Sequence, residues 1–167
     1  MKKMTEKNLR DAFAGESQAH MKYLIFSEIA DKKGLTNISK LFKAIAFAEF
    51  VHAKNHLKEL GEAKDTINNL QAAIDGETYE VTEMYPAFNE TAKFQEEKGA
   101  ERSTFYALEA EKIHKYMYEK AKDIASAGKD IEQKDIYVCS VCGHTVEKNL
   151  PNKCPVCGTA SKSYVKF

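Results

Sequence analysis

Apolar residues recur along this chain at spacings of three and four, the period that lays a hydrophobic stripe along one face of an α-helix. Leu9, Phe13, Met21, Leu24 and Ile25 form a first stripe, with Thr5 placed to cap its start and Gly34 to stop it just after Lys33. A second run through Leu41, Ile45 and Ala48 predicts a helix that starts after Asn37 or Ser39, reaches Leu60 and stops at Gly61. These two read as a hairpin. From Glu62 to Gly76 the signal weakens around Asn68, Asn69 and the Asp75-Gly76 turn, which predicts a long crossover rather than a tight connection. A third helix follows, bent where Pro86 removes a backbone donor, and a fourth spans about Ala100 to Ala127 and gives way at Gly128. Lys129 to Asp135 is a charged linker, so the chain divides into a helical domain over 1–128, the linker over 129–135 and a small module over 136–167. Phe42, Phe47, Phe88, Phe94 and Phe105 are expected in the core of the bundle.

The polar positions inside those helices repeat as well. Glu49 and His52 form a Glu-x-x-His pair, Glu111 and His114 form another 62 residues later, and each has a Glu upstream, Glu16 by 33 residues and Glu80 by 31. Residues three apart share a helix face, so each pair aims a carboxylate and an imidazole at one point. A single such pair is an unremarkable match, but the duplication reads twice as Glu-helix, turn, Glu-x-x-His-helix. A Glu from each of two helices and Glu-x-x-His from each of two others is the donor set of ferritin-like di-iron or di-manganese carboxylate bundles. Glu83, one turn after Glu80, adds a further carboxylate, which implies an open or exchangeable coordination position. The alternative is a solvated charged bundle, since 30% of the residues are Asp, Glu, Lys or Arg; it leaves the duplicated spacing unexplained.

All four cysteines lie in the last 29 residues, as Cys139-x-x-Cys142-Gly143 and Cys154-x-x-Cys157-Gly158. Two such knuckles make a tetrahedral thiolate site, and so short a module draws much of its folding free energy from the metal. Four thiolates take zinc or iron; spacing alone favours structural zinc, whereas a redox-active iron has a use beside a di-metal oxidant site. A cysteine-free remainder fits a reducing compartment, and the charged amino terminus without an apolar run leads us to expect a cytoplasmic protein with no membrane span. Net charge is zero, with 25 basic and 25 acidic residues intermixed, so nucleic acid is not an expected partner.

The stretches Phe13-Ala-Gly-Glu16-Ser, Ala48-Glu49-Phe-Val-His52, Glu80-Val-Thr-Glu83-Met-Tyr-Pro86 and Glu111-Lys-Ile-His114, with the two cysteine knuckles, resemble the rubrerythrin family over essentially the whole chain. The resemblance implies an all-α ferritin-like four-helix bundle with one long crossover, fused to a rubredoxin-like, zinc-ribbon-like β module. It implies a non-haem di-iron centre with Glu49 and Glu111 bridging, Glu16 and Glu83 on one iron, and Glu80 with His114 on the other. His52 would exchange with Glu83 as the oxidation state changes, a neutral imidazole suiting the ferrous ion and a carboxylate the ferric. Cys139, Cys142, Cys154 and Cys157 would hold one further iron, or zinc in isolated protein. The implied activity is reduction of hydrogen peroxide to water in protection against oxidative stress. Electrons would come through the four-cysteine iron, ultimately from NADH by way of a separate reductase or rubredoxin. The chain has no Gly-x-Gly-x-x-Gly of its own to hold the nicotinamide. A homodimer or higher homo-oligomer is implied, with the cysteine module of one subunit serving the di-iron site of another.

The competing function is a ferroxidase or iron-handling protein with a structural zinc ribbon; a non-catalytic interaction protein is a third class, and gives the seven-residue donor set no purpose. His20 and His56 follow Glu16 and His52 by one turn and read as neighbours of the site rather than ligands. His144 is expected on the surface. Tyr23 is either a donor to a ligand carboxylate or a core tyrosine.

Overall fold

A computed structural model describes residues 1–167, which form two compact units, Met1–Lys64 and Asp65–Phe167. The first unit is a pair of helices, α1 (Lys3–Lys32) and α2 (Thr36–Glu59). Their connection is three residues long, which makes them antiparallel neighbours. Gly34 adopts φ 74°, so that Leu35 N–H reaches back to Ala30 O at 2.9 Å and Gly34 N–H to Asp31 O at 2.9 Å, closing α1 with a left-handed cap. Helix α1 starts two residues before Thr5, behind Lys2 and without a side-chain cap. The seam between α1 and α2 is made of small residues, with Ser27, Ala30, Ser39, Ala46 and Ala53 buried, which lets the backbones approach closely. His20 Nδ1 stands 2.7 Å from Ala46 O, tying α1 to α2 across that seam. Tyr23 packs against Phe26 and Phe42, the core role among the two open to it.

The second unit begins with α3 (Thr66–Tyr79), continues without a break through a π turn (Glu80–Met84) into α4 (Tyr85–Phe94), and returns along α5 (Lys98–Ser126). Asp65 caps α3 by accepting from Asn68 N–H at 3.0 Å. The segment expected as a long crossover is therefore mostly the first turns of α3, and the connection from α2 shrinks to Leu60–Asp65. Asn68 and Asn69, weak helix formers, sit in the first turn, where capping outweighs propensity. Pro86 explains the π turn: without an N–H it forfeits its bond to the preceding turn, and the Tyr85 N–H closes on Glu80 O instead. Asn89, buried on α4, donates to Glu101 O at 2.7 Å and to Thr104 Oγ1 at 2.9 Å, pinning α4 to α5.

After residues 129–135 the chain forms a three-stranded antiparallel sheet in the order β2-β1-β3, from β1 (Ile136–Cys139), β2 (Thr145–Glu147) and β3 (Tyr164–Lys166). Val138 pairs with Thr145 on one side and Val165 on the other, and β1 delivers Cys139 at its end. No helix is long and apolar enough to cross a membrane. The aromatic core expected of the bundle differs from what is found: Phe47, Phe88, Phe94 and Phe105 are exposed, Phe47 by 65% and Phe94 by 89%. Two-helix and three-segment units have too few faces to enclose such side chains.

Candidate metal centres

Three groups of metal-ligating side chains come together, each with its donor atoms within 4.8 Å of one another. In the first unit Glu16 of α1 meets Glu49 and His52 of α2. His52 Nδ1 lies 3.0 Å from Glu49 Oε2 and 3.8 Å from Glu16 Oε1. Glu16 sits near the middle of α1 and the Glu-x-x-His pair in the second half of α2, so an antiparallel hairpin brings them to one level. His56 is half-buried one turn beyond His52, outside this set.

In the second unit Glu111 and His114 of α5 are joined by Glu77 of α3, three residues before the Glu80 that the motif singled out. Burial and a hydrogen bond to Glu111 push the Glu77 carboxyl up to about 7. Its proton is then donated to Glu111, whose carboxylate is held below its ordinary range chiefly by the hydrogen bond from His114. His114 Nδ1 lies 2.5 Å from Glu111 Oε2, and that bond raises the imidazole in turn. Two protons thus offset carboxylate charge at a point where a divalent cation would displace both, so the donor set fits a metal chemically. Glu80 is half-buried nearby, its carboxyl raised by burial and by the Glu111 charge. Glu83 is exposed on the π turn and outside the cluster. The π turn winds more residues per turn than an α-helix, so Glu80 and Glu83 point apart more than helical spacing implies.

The repeat itself held a signal for Glu77. It precedes Glu111 by 34 residues, closer to the 33 between Glu16 and Glu49 than the 31 of Glu80. Thr145 carried no such signal. It is buried on β2, where its hydroxyl donates to Gly143 O at 2.9 Å and so accepts from His114 Nε2, 2.8 Å away. A histidine that donates its outer N–H in this way has its tautomer and ring orientation fixed, leaving Nδ1 to face a metal.

That contact also shows where the cysteine module rests. Gly143 stands over Ala110 of α5, and Tyr106 packs on the cysteine cluster, so the module docks beside Glu111 and His114 of its own chain. Cys139 and Cys157 Sγ are 3.7 Å apart and Cys142 and Cys154 Sγ 3.4 Å, far beyond a disulfide bond and near the ~3.8 Å that thiolates at 2.3 Å from one ion would show. Burial opposes ionisation of Cys154, yet donors from the Tyr164 hydroxyl and from Cys157 and Val156 N–H hold its thiol at about 6. His144 was expected on the surface and is buried instead, with Nδ1 2.8 Å from the Tyr164 hydroxyl. Burial lowers its pKa and keeps it neutral, so it orients the tyrosine that serves the sulfur.

Comparison with known proteins gives a consistent result. The Rubrerythrin family model matches residues 7–122, and that of the rubrerythrin rubredoxin-like domain matches residues 137–164. Rubrerythrin-2 of Clostridium acetobutylicum is 45% identical, the alignment covering 98% of this chain and 97% of that protein. Nigerythrin of Nitratidesulfovibrio vulgaris is 33% identical over 98% of this chain and 86% of its own. A solved structure of nigerythrin in its fully reduced, all-ferrous state is 29% identical, covers 98% of this chain and 86% of its own, and has a TM-score of 0.58.

Proposed function

The chain belongs to the rubrerythrin family, with a ferritin-like domain carrying the carboxylates and histidines of a di-iron site and a four-cysteine rubredoxin-like domain, and from that premise we propose that it is a hydrogen peroxide reductase. The observation that carries this reading is the coexistence of two Glu/Glu/His sets with a four-thiolate set docked against one of them. A ferroxidase needs the first two and has no use for the third.

When bound, a ferrous pair supplies two electrons, which with two protons cleave the O–O bond of one hydrogen peroxide and leave two waters. Glu16, Glu49 and His52 from the first repeat, and Glu80, Glu83, Glu111 and His114 from the second, are the residues that would hold the irons, with Glu77 beside them. By accepting from His114 Nε2–H, Thr145 fixes the ring so that Nδ1 faces Glu111 and the site. Cys139, Cys142, Cys154 and Cys157 would hold the iron that returns electrons one at a time. Cys142-Gly143, Thr145 and His114 form a short connected path from the four thiolates to the second Glu/Glu/His set. A separate reductase or rubredoxin, drawing on NADH, would supply electrons to the four-cysteine site, and the setting is the cytoplasm.

Protein purified without oxygen and then reduced tests this. About three irons per chain, a coloured ferric-thiolate band that reductant bleaches, and fast reoxidation by peroxide are expected. Glu83→Ala should keep the fold and the cysteine iron while slowing reoxidation by peroxide. An unchanged rate removes Glu83 from the exchange. Reoxidation by dioxygen alone, with zinc at the cysteines, would point to the ferroxidase.

A further inference from the structure

We propose that the four-cysteine site and the second Glu/Glu/His set take up their ions cooperatively, an ion at the cysteines tightening Glu77, Glu111 and His114 on a divalent cation, and the reverse. This rests on the reading above that both donor sets hold metal, and is independent of the reaction with peroxide. Tyr106, Ala110 and His114 follow one another at four-residue steps along α5 and share one of its faces. The cysteine module meets that face at each of them. Tyr106 packs on the buried Cys139, Cys142 and Cys154, a side chain at Gly143 would start 3.6 Å from Ala110 Cβ, and Thr145 Oγ1 lies 2.8 Å from His114 Nε2. Beyond them, Glu147 of β2 stands 3.7 Å from Lys120 Nζ of α5.

The residues that reach α5 belong to the knuckle that would hold the ion. Gly143 and Thr145 follow Cys142 by one and three residues. Gly143 N–H bonds to Cys139 O at 2.9 Å with φ 79°, and Cys139 N–H bonds to His144 O at 2.9 Å, so the backbone through Gly143 and His144 is wrapped around the first two sulfurs. The buried core of the module is Cys139, Cys142 and Cys154 themselves. So little apolar burial does not hold a fold, and the ion supplies the difference. Without it the knuckle opens, and Thr145 leaves His114.

His114 then has no acceptor for Nε2–H, and its ring is free to turn away from Glu111, against which Nδ1 is held at 2.5 Å. Losing the outer partner of a ligating histidine lowers metal affinity about 10–100-fold. The effect runs both ways, because two binding equilibria that share one coupling free energy shift each other by the same factor. A cation on Nδ1 keeps the His114 proton on Nε2 and the ring in place, which presents Thr145 with a fixed donor and favours the docked, ion-binding form of the module. The Thr145–His114 contact is thus the joint through which each site senses the other.

A metal-binding cycle on the full-length chain tests this. Protein stripped of metal under reductant is titrated with Mn²⁺, a hard ion that takes carboxylates rather than thiolates, and free Mn²⁺ is read by electron paramagnetic resonance. The titration is repeated after one equivalent of Zn²⁺, whose place at the cysteines is checked by protection of the four thiols from a thiol reagent. Wild type is run beside a Glu16→Gln, His52→Ala chain, in which only the second set remains. Zinc should tighten Mn²⁺ binding about 10–100-fold, and Mn²⁺ should tighten zinc by the same factor. In Thr145→Val both ratios should fall close to one, with the helical circular dichroism unchanged. Equal Mn²⁺ affinity with and without zinc overturns the proposal, as does the full ratio surviving in Thr145→Val. Cys142→Ser with Cys154→Ser provides a second unloaded form should the stripped protein aggregate, and it should bind Mn²⁺ as weakly whether or not zinc is added. Because no peroxide enters, a ratio of one leaves the peroxidase reading standing, whereas no Mn²⁺ binding in any form removes the metal reading and the cooperativity together.

Discussion

Thr145 and Glu77 show how much a site depends on residues one bond away from its motif. The hydroxyl of Thr145 is fixed as a donor by Gly143 O, so only its lone pairs remain for His114 Nε2–H. Thr145→Val keeps the shape and removes that acceptor. Metal affinity at the second Glu/Glu/His set should fall about 10–100-fold, the usual cost of losing an outer partner of a ligating histidine, with helix content unchanged and with Thr145→Ser restoring it. A competition titration that gives equal affinity for wild type and Thr145→Val would show that the contact positions nothing.

The helices are punctuated by caps of one kind, and one of them carries an unusual residue. Gly34 and Gly61 end α1 and α2 in the left-handed region, and the α4–α5 turn uses the same pattern with Glu96 at φ 58°, Glu97 N–H bonding to Ala92 O at 2.9 Å. A side chain there costs about 1 kcal/mol in clash with its own carbonyl, and the exposed Glu96 makes the position free to change. Glu96→Gly should raise the urea midpoint with no change of slope, by about 0.5–1 kcal/mol of stability. A lower midpoint would mean that glycine's extra freedom in the unfolded chain outweighs the relieved strain. Pro86 acts on a larger stretch. By forcing the π turn it sets Glu77 and Glu83 on divergent directions of one continuous helical segment. Counting three residues per face across that segment therefore misjudges which carboxylate meets α5.

The module at the carboxy terminus has ten strand residues and a core made of its cysteines with Tyr106, Val156 and Tyr164 around them, too little apolar burial to hold it without an ion. Stripping that ion with a chelator should unfold residues 136–167 and leave α1 to α5 in place. Hydrogen exchange would show it: amides of Val138 and Val165 lose protection, while the helical signal at 222 nm persists. Surviving protection at those amides would mean that docking on α5 suffices. Local chemistry was written into the residues directly. The Glu-x-x-His pairs, the cysteine knuckles, the glycine stops and the long amphipathic helices depend on spacings within one or two turns, and spacing is what a sequence records. The start of α3, the burial of His144, the partner of His114 and the exposure of Phe47 and Phe88 depend on what packs against what. Asn68 and Asn69 look like loop residues until Asp65 caps them into a helix, and that one capped turn shortens the link from α2 to Leu60–Asp65. Short-range periodicity picks out the candidate donors, while packing decides which of them meet, as Glu77 rather than Glu80 joins Glu111 and His114.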